Sequence, residues 1–229
     1  SHDRPYLWPS DIDVCETSCE MNLNSINYVC VSNVKAAINS TIYFPNVTRL
    51  AIRSLEMSDH SISWTLNSLL PLNKLTELNL VSYRIIVDDL LKLLRFTPNL
   101  NLLGLEALIV DEPTLNLRRK RKRFKYITGT KKIKHLRIDA QCSWKKLRFV
   151  AYLFPKLEYL EIKYIPNEII DIFRLILTKP NHILQNLFLV CIRYCSTKYL
   201  EGLDNLIRSE HLVDDYVIKY GDDDLYLWW

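Results

Sequence analysis

His135, Arg137, Asp139 and Glu161 are the residues whose types and spacing come closest to a reactive site in this chain. An imidazole and two carboxylates within reach of one another can pass a proton, and a guanidinium beside them can steady an anion. The same four groups also form an ordinary solvated salt-bridge cluster, and that is the reading preferred. Six cysteines, at 15, 19, 30, 142, 191 and 195, are the other reactive groups. Cys15/Cys19 and Cys191/Cys195 are spaced x3 rather than in the C-x2-C pairs of zinc fingers, and no two histidines stand at H-x3-5-H spacing, so no metal site is expected. Only 4 glycines occur in 229 residues, and G-x-G-x-x-G, G-x-x-x-x-G-K-[ST] and G-x-S-x-G are all missing. Phosphate-cradling loops and nucleophile elbows lack the residue they depend on. The expectation is a protein that is not an enzyme and takes no cofactor.

Charge is concentrated. Arg118, Arg119, Lys120, Arg121, Lys122, Arg123 and Lys125 are seven cations in eight positions, and without them the net charge of +4 becomes −3. The run reads as a solvated insertion, as a nuclear-import or partner signal, or as a contact for nucleic acid. With only Phe124 and Tyr126 beside it and no basic stripe elsewhere, nucleic acid is the least supported of the three. No apolar run approaches the roughly 18 residues that span a bilayer, so no membrane association is expected. The sequons at Asn39 and Asn46 read as chance matches, and the chain is placed inside the cell, in cytoplasm or nucleus.

What must position these residues is a repeat. Phe44-Pro-Asn-Val47-Thr-Arg-Leu50-Ala-Ile52 returns as Leu75-Thr-Glu-Leu78-Asn-Leu80, Thr97-Pro-Asn-Leu100-Asn-Leu-Leu103-Gly-Leu105, Ile133-Lys-His-Leu136-Arg-Ile138, Phe154-Pro-Lys-Leu157-Glu-Tyr-Leu160-Glu-Ile162 and Leu184-Gln-Asn-Leu187-Phe-Leu189. The copies start at 47, 75, 100, 133, 157 and 184, and the one long interval holds the basic run. Weaker copies are expected at Ile26–Val31 and Val213–Ile218. The last two apolar residues of each phrase are two apart, which puts both on the core side of a short strand and their neighbours on the other. Between phrases, 34–38, 85–94, 144–153, 168–177 and 197–207 carry apolar residues at helical spacing, with 61–70 a weaker case. Asp88-Asp89 and Pro166-Asn167 suit helix starts, and Pro98 and Pro155 follow helix ends.

Strand followed by helix in each unit predicts an α/β fold: a right-handed solenoid with parallel strands on the concave face and helices on the convex face. Residues 1–25 form an N-terminal extension, too short for a separate module, 26–212 the repeats with their insertion at 118–125, and 213–229 a capping pair of strands. Tyr216–Tyr220 and Leu225–Trp229 around a polar turn form that hairpin, which closes an otherwise open edge.

The phrase and its spacing resemble the leucine-rich repeats of the ribonuclease-inhibitor-like class, over about residues 26–218, and in particular the C-terminal repeats of F-box proteins. The resemblance implies a recognition scaffold, the substrate-receptor part of a ubiquitin ligase subunit. No F-box helical module is found ahead of the repeats, so adaptor binding does not carry over.

On the concave face the alternation places Arg49 and Arg53, Glu77 and Asn79, Glu106, then His135, Arg137 and Asp139, Tyr159, Glu161 and Lys163, and Phe188. Mixed charge around a few aromatic groups suits a protein partner, with Tyr159 and Phe188 as anchors. Two alternatives remain: a nuclear or nucleic-acid-associated adaptor working through 118–125, and a secreted repeat protein with disulfides at Cys15/Cys19 and Cys191/Cys195.

Overall fold

The computed structural model describes residues 6–7, 23–32, 42–53, 62–110, 132–163, 168–178 and 184–229. The expected helix at 34–38, the basic run, Cys15, Cys19 and Pro166-Asn167 lie outside the described residues. The chain is α/β with mostly parallel strands, and it divides into two units, Ser1–Ile109 and Val110–Trp229.

In the first unit β1 (Tyr6–Leu7), β2 (Tyr28–Val31), β3 (Arg49–Ile52), β4 (Glu77–Ile86) and β5 (Leu102–Ile109) lie side by side in chain order, every neighbouring pair parallel. Helices α1 (Ile62–Leu69) and α2 (Val87–Phe96) fall between strands. The second unit sets β6 (His135–Gln141), β7 (Tyr159–Lys163) and β8 (Leu189–Arg193) parallel, with α3 (Trp144–Leu153), α4 (Ile169–Leu177) and α5 (Tyr199–Ser209) in the crossovers and after β8. The hairpin β9 (Val217–Gly221) and β10 (Asp224–Trp228) completes it, giving the order β6-β7-β8-β10-β9.

The phrase explains this register. Leu50, Leu78 and Leu103 align across β3, β4 and β5, and Leu136, Leu160 and Val190 across β6, β7 and β8. Each of these, and the apolar residue two further on, is at most 2% exposed. A one-residue slip in any strand would turn this whole row to solvent, so burial of the row fixes the alignment. The helices supply the opposite wall. Leu147, Phe149, Val150 and Leu153 of α3 and Ile172, Phe173 and Ile176 of α4 are buried at three- and four-residue spacing.

A hydrogen-bond motif recurs at the entries of β3, β4, β5, β7 and β8. Thr48 and Arg49 N–H both donate to the Asn27 carbonyl, Thr76 and Glu77 to Thr48, and Asn101 and Leu102 to Thr76, at 2.8–3.2 Å. In the second unit Glu158 and Tyr159 donate to Lys134, and Phe188 and Leu189 to Glu158. Side chains add a second rung: Asn46 Nδ2 donates to the Asn24 carbonyl at 2.9 Å, Lys74 Nζ to Pro45 at 2.9 Å, Asn99 Nδ2 to Asn73 at 2.7 Å and Asn186 Nδ2 to Pro155 at 3.2 Å. Asn46 is the acceptor position of a sequon, and its amide is engaged in this structural bond.

Three expectations need correction. The sixth phrase is Leu187, Val190 and Ile192, three residues later than read from sequence, because Val190 pairs with Leu160 and Ile192 with Ile162. Helix α2 begins at Val87 rather than 85, since Ile85 continues β4 opposite Leu108 and is fully buried there. Val213–Ile218 is no further repeat: β9 runs antiparallel to β10, and β10 antiparallel to β8. The expected hairpin is present, with Leu225 and Leu227 fully buried. Its turn places Asp222 and Asp223 at φ 55° and 62°, the left-handed pair a two-residue hairpin loop needs and a short polar side chain tolerates.

Local capping is specific at α3. Ser143 Oγ accepts from Lys146 N–H at 3.4 Å, and Glu168, the residue immediately before α4, accepts from Trp144 N–H at 2.7 Å. One carboxylate thereby satisfies an orphan donor and ties two successive helices together.

Candidate functional site

The outward strand face of the second unit gathers Arg137, Asp139, Glu161 and Lys163 from the charged residues singled out from sequence. Arg137 sits opposite Glu161 across β6 and β7, and Glu161 opposite Cys191 across β7 and β8. Arg137 meets Asp139 at 3.2 Å and Glu161 at 4.0 Å. From the next strand Arg193 reaches Asp139 Oδ1 at 2.5 Å and Glu161 Oε1 at 3.3 Å. Two guanidiniums and two carboxylates therefore alternate in one half-buried network. Tyr159 donates its hydroxyl proton to Glu161 Oε2 at 3.2 Å, and the His135 ring packs edge-on against Tyr159 at 5.7 Å.

Burial pushes the Glu161 carboxyl above its ordinary range, against the pull of Arg137, Arg193 and the Tyr159 hydroxyl. Burial also raises Tyr159, and the neighbouring Cys191 and Glu161 add to the effect. These groups hold the network rigid. Each carboxylate is engaged by both arginines, which leaves a pattern of alternating charge across the three strands.

At the end of β8 an aromatic group stands over the network. Tyr194 has φ 56° and is 57% exposed, and its N–H donates to Asp224 Oδ1 at 3.0 Å. A tyrosine in the left-handed region costs on the order of 1 kcal/mol or more, so the backbone persists because its surroundings impose it. The Arg193 guanidinium lies 5.0 Å from the ring centroid and Lys163 Nζ 5.4 Å, while Arg193 also donates to the Tyr194 hydroxyl at 3.0 Å. Lys163, exposed as expected at the end of β7, is thus part of the same group.

Arg193 and Tyr194 escaped the sequence reading, and Cys191 was not placed on this face, because the sixth phrase was placed three residues early. Aligning Leu184 with Phe154 instead would have brought Leu189, Cys191 and Arg193 to this face. Phe188 is accordingly not a strand residue of the face. It is 49% exposed, one position before β8, and its carbonyl accepts from Trp229 N–H at 3.2 Å. Val190, aligned with Leu160, is fully buried.

In the first unit the expected residues form pairs. The Arg49 guanidinium lies 5.2 Å from the Tyr28 ring centroid, and Asn79 Nδ2 donates to Glu77 Oε1 at 2.8 Å. Arg53 is exposed just beyond β3, and Glu106 is half-buried on β5. Gly104 is buried beneath the Asn79 side chain, where an added Cβ would collide with Asn79 Oδ1.

The described thiols contradict the Cys191/Cys195 disulfide. Cys30, Cys142, Cys191 and Cys195 are all buried thiols outside any disulfide. Burial holds Cys142 and Cys191 up at about 12 and Cys195 at about 11. The thiolate is the reactive species, so these three should react with a thiol reagent at pH 8 at least 100-fold more slowly in the native protein than in urea. Equal rates in both states would show the thiols to be accessible. Among the described residues no group of three or more His, Cys, Asp or Glu is placed to hold a metal ion, and no helix is long and apolar enough to cross a membrane.

No protein-family model, curated protein or solved structure matches the chain. Its residues alone carry the functional reading.

Proposed function

We propose that this chain is a protein-recognition scaffold of leucine-rich-repeat type, non-catalytic, whose second unit binds a protein partner on its outward strand face. The observation that supports it most is Tyr194: an exposed ring on a left-handed backbone, pinned by Asp224 and flanked by Arg193 and Lys163. Beside it the Arg137, Asp139, Glu161 and Arg193 network presents both signs of charge in fixed positions. Aromatic and arginine anchors preordered before binding are the groups that dominate protein interfaces, because little rotamer freedom remains to be lost. The recurring phrase and strand-entry hydrogen bonds support the solenoid reading, and the resemblance to F-box repeats points to a substrate-receptor role.

The test is affinity purification with the intact chain, the double variant Arg137→Glu with Tyr194→Ala, and the control Lys92→Ala on α2. Partners of the intact chain should be recovered at least tenfold less with the double variant and unchanged with the control. Equal recovery with a double variant whose circular dichroism is native would remove the strand face from the proposal.

A further inference from the structure

The last 31 residues are strongly acidic although the whole chain is basic: 199–229 carry eight aspartates and glutamates against Arg208 and Lys219, net −6 in a chain of +4. Part of this charge lines a cleft of about 740 Å³ between the C-terminal half of α5 and the approach to β9. Asp204, Asp214 and Asp215 bring three carboxylates to it, with Arg208 the one full cation, and Ile207, Val213, Val217 and Ile218 give it an apolar floor. Tyr216 fixes one wall: its hydroxyl donates to Asp204 Oδ1 at 2.6 Å and accepts from Arg208 Nε at 3.3 Å, while Arg208 also meets Asp204 at 2.8 Å.

The same place is the end of the sheet. Strand β9 is terminal in the order of the second unit, and among the described residues it pairs only with β10. The two-residue turn joins Gly221 to Asp224, so the N–H and C=O groups of 217, 219 and 221 face β10. Those of Ile218 and Tyr220 face away from it, toward the edge. Val217 is 48% exposed, and Ile218, whose partner Leu227 is fully buried, is itself half-exposed. The edge strand therefore combines outward-facing backbone groups, incompletely covered apolar side chains and a carboxylate-lined cleft alongside.

We infer that this edge takes an extended lysine- or arginine-rich segment of a partner protein as an added strand. Main-chain pairing to Ile218 and Tyr220 supplies the register, and every second side chain of the incoming strand turns toward α5, where a cation meets Asp214 and Asp215 and its aliphatic stem covers Ile218. The net charge of this end repels nucleic acid and anionic membrane, and favours a basic strand over an acidic or neutral one. This surface is separate from the face that carries Tyr194, and its failure would leave the function proposed above standing.

The test uses the intact chain and a fluorescent nine-residue peptide alternating lysine with threonine or valine, followed by anisotropy at low and at physiological salt. The lysine peptide should bind, with affinity falling as salt rises, and the same peptide with glutamate for lysine should not. Asp214→Asn with Asp215→Asn should weaken binding at least tenfold. A peptide N-methylated on alternate amides, with the protein unaltered, should also lose at least tenfold. No binding of the lysine peptide, or binding unaffected by the two aspartate changes, would overturn the site. Equal binding of the N-methylated peptide would overturn strand addition.

Discussion

Replacing Leu136 with alanine lowers the stability of the folded chain by about 2–5 kcal/mol, whereas Lys134→Ala lowers it by less than about 1 kcal/mol. Leu136 is 1% exposed on β6 and aligned with Leu160, so its truncation leaves a cavity that the packed strand and helix walls close only in part. Lys134, two residues earlier, contributes an ion pair to Glu158 at 2.7 Å whose side chains are 48% and 30% exposed. Water screens that pair, and the lysine carbonyl that accepts from Glu158 and Tyr159 survives the substitution. Urea unfolding followed by circular dichroism measures the difference. Similar losses for the two variants would mean that the phrase points its side chains the other way.

Raising the pH from 8 to 10 should remove about 4 kcal/mol through three thiols together. Burial raises Cys142 and Cys191 from 9.0 to about 12 and Cys195 from 9.0 to about 11. Above pH 9 the unfolded chain releases these protons and the folded chain retains them. The stability they contribute is therefore complete below 9 and is lost as pH rises toward 11–12, at about 1.4 kcal/mol per unit for each thiol. Tyr159, also raised by burial, acts in the same direction. Urea midpoints at pH 8, 9 and 10 should fall steeply for the native chain and less steeply after Cys142→Ala. A flat profile would contradict the burial of these thiols.

The strands were legible because burial of a two-residue pair is a strong and local constraint. Leu50 and Ile52, or Leu160 and Ile162, can both be buried on only one face of an extended segment, and the structure buries them so. Helix α3 was legible to the residue because Ser143 caps it and Phe154 with Pro155 ends it. The sixth strand was misplaced for a physical reason: Leu184, Leu187, Leu189 and Val190 are all apolar, and composition alone does not say which two enter the core. Only pairing with β7 decides it. The same ambiguity hid the most distinctive part of the candidate site. Arg193 ends the strand that was read out of phase and Tyr194 follows it, and Tyr194's left-handed backbone depends on Asp224, thirty residues away. On β6 and β7, where the phrase was in phase, His135 aligns with Tyr159 and Arg137 with Glu161, while a register shift after Ile138 sets Gln141 rather than Asp139 opposite Lys163.

The asparagine rungs have a consequence for how the molecule ages. Spontaneous deamidation would turn an Nδ2 donor into a carboxylate facing a carbonyl, replacing attraction with repulsion between acceptors. The reaction requires the next residue's backbone nitrogen to attack the side-chain amide. After Asn99 and Asn186 that nitrogen belongs to Leu100 and Leu187, whose N–H groups are committed to the Thr97 and Leu184 carbonyls. Asn99 and Asn186 should consequently outlast asparagines in unstructured peptides of the same local sequence.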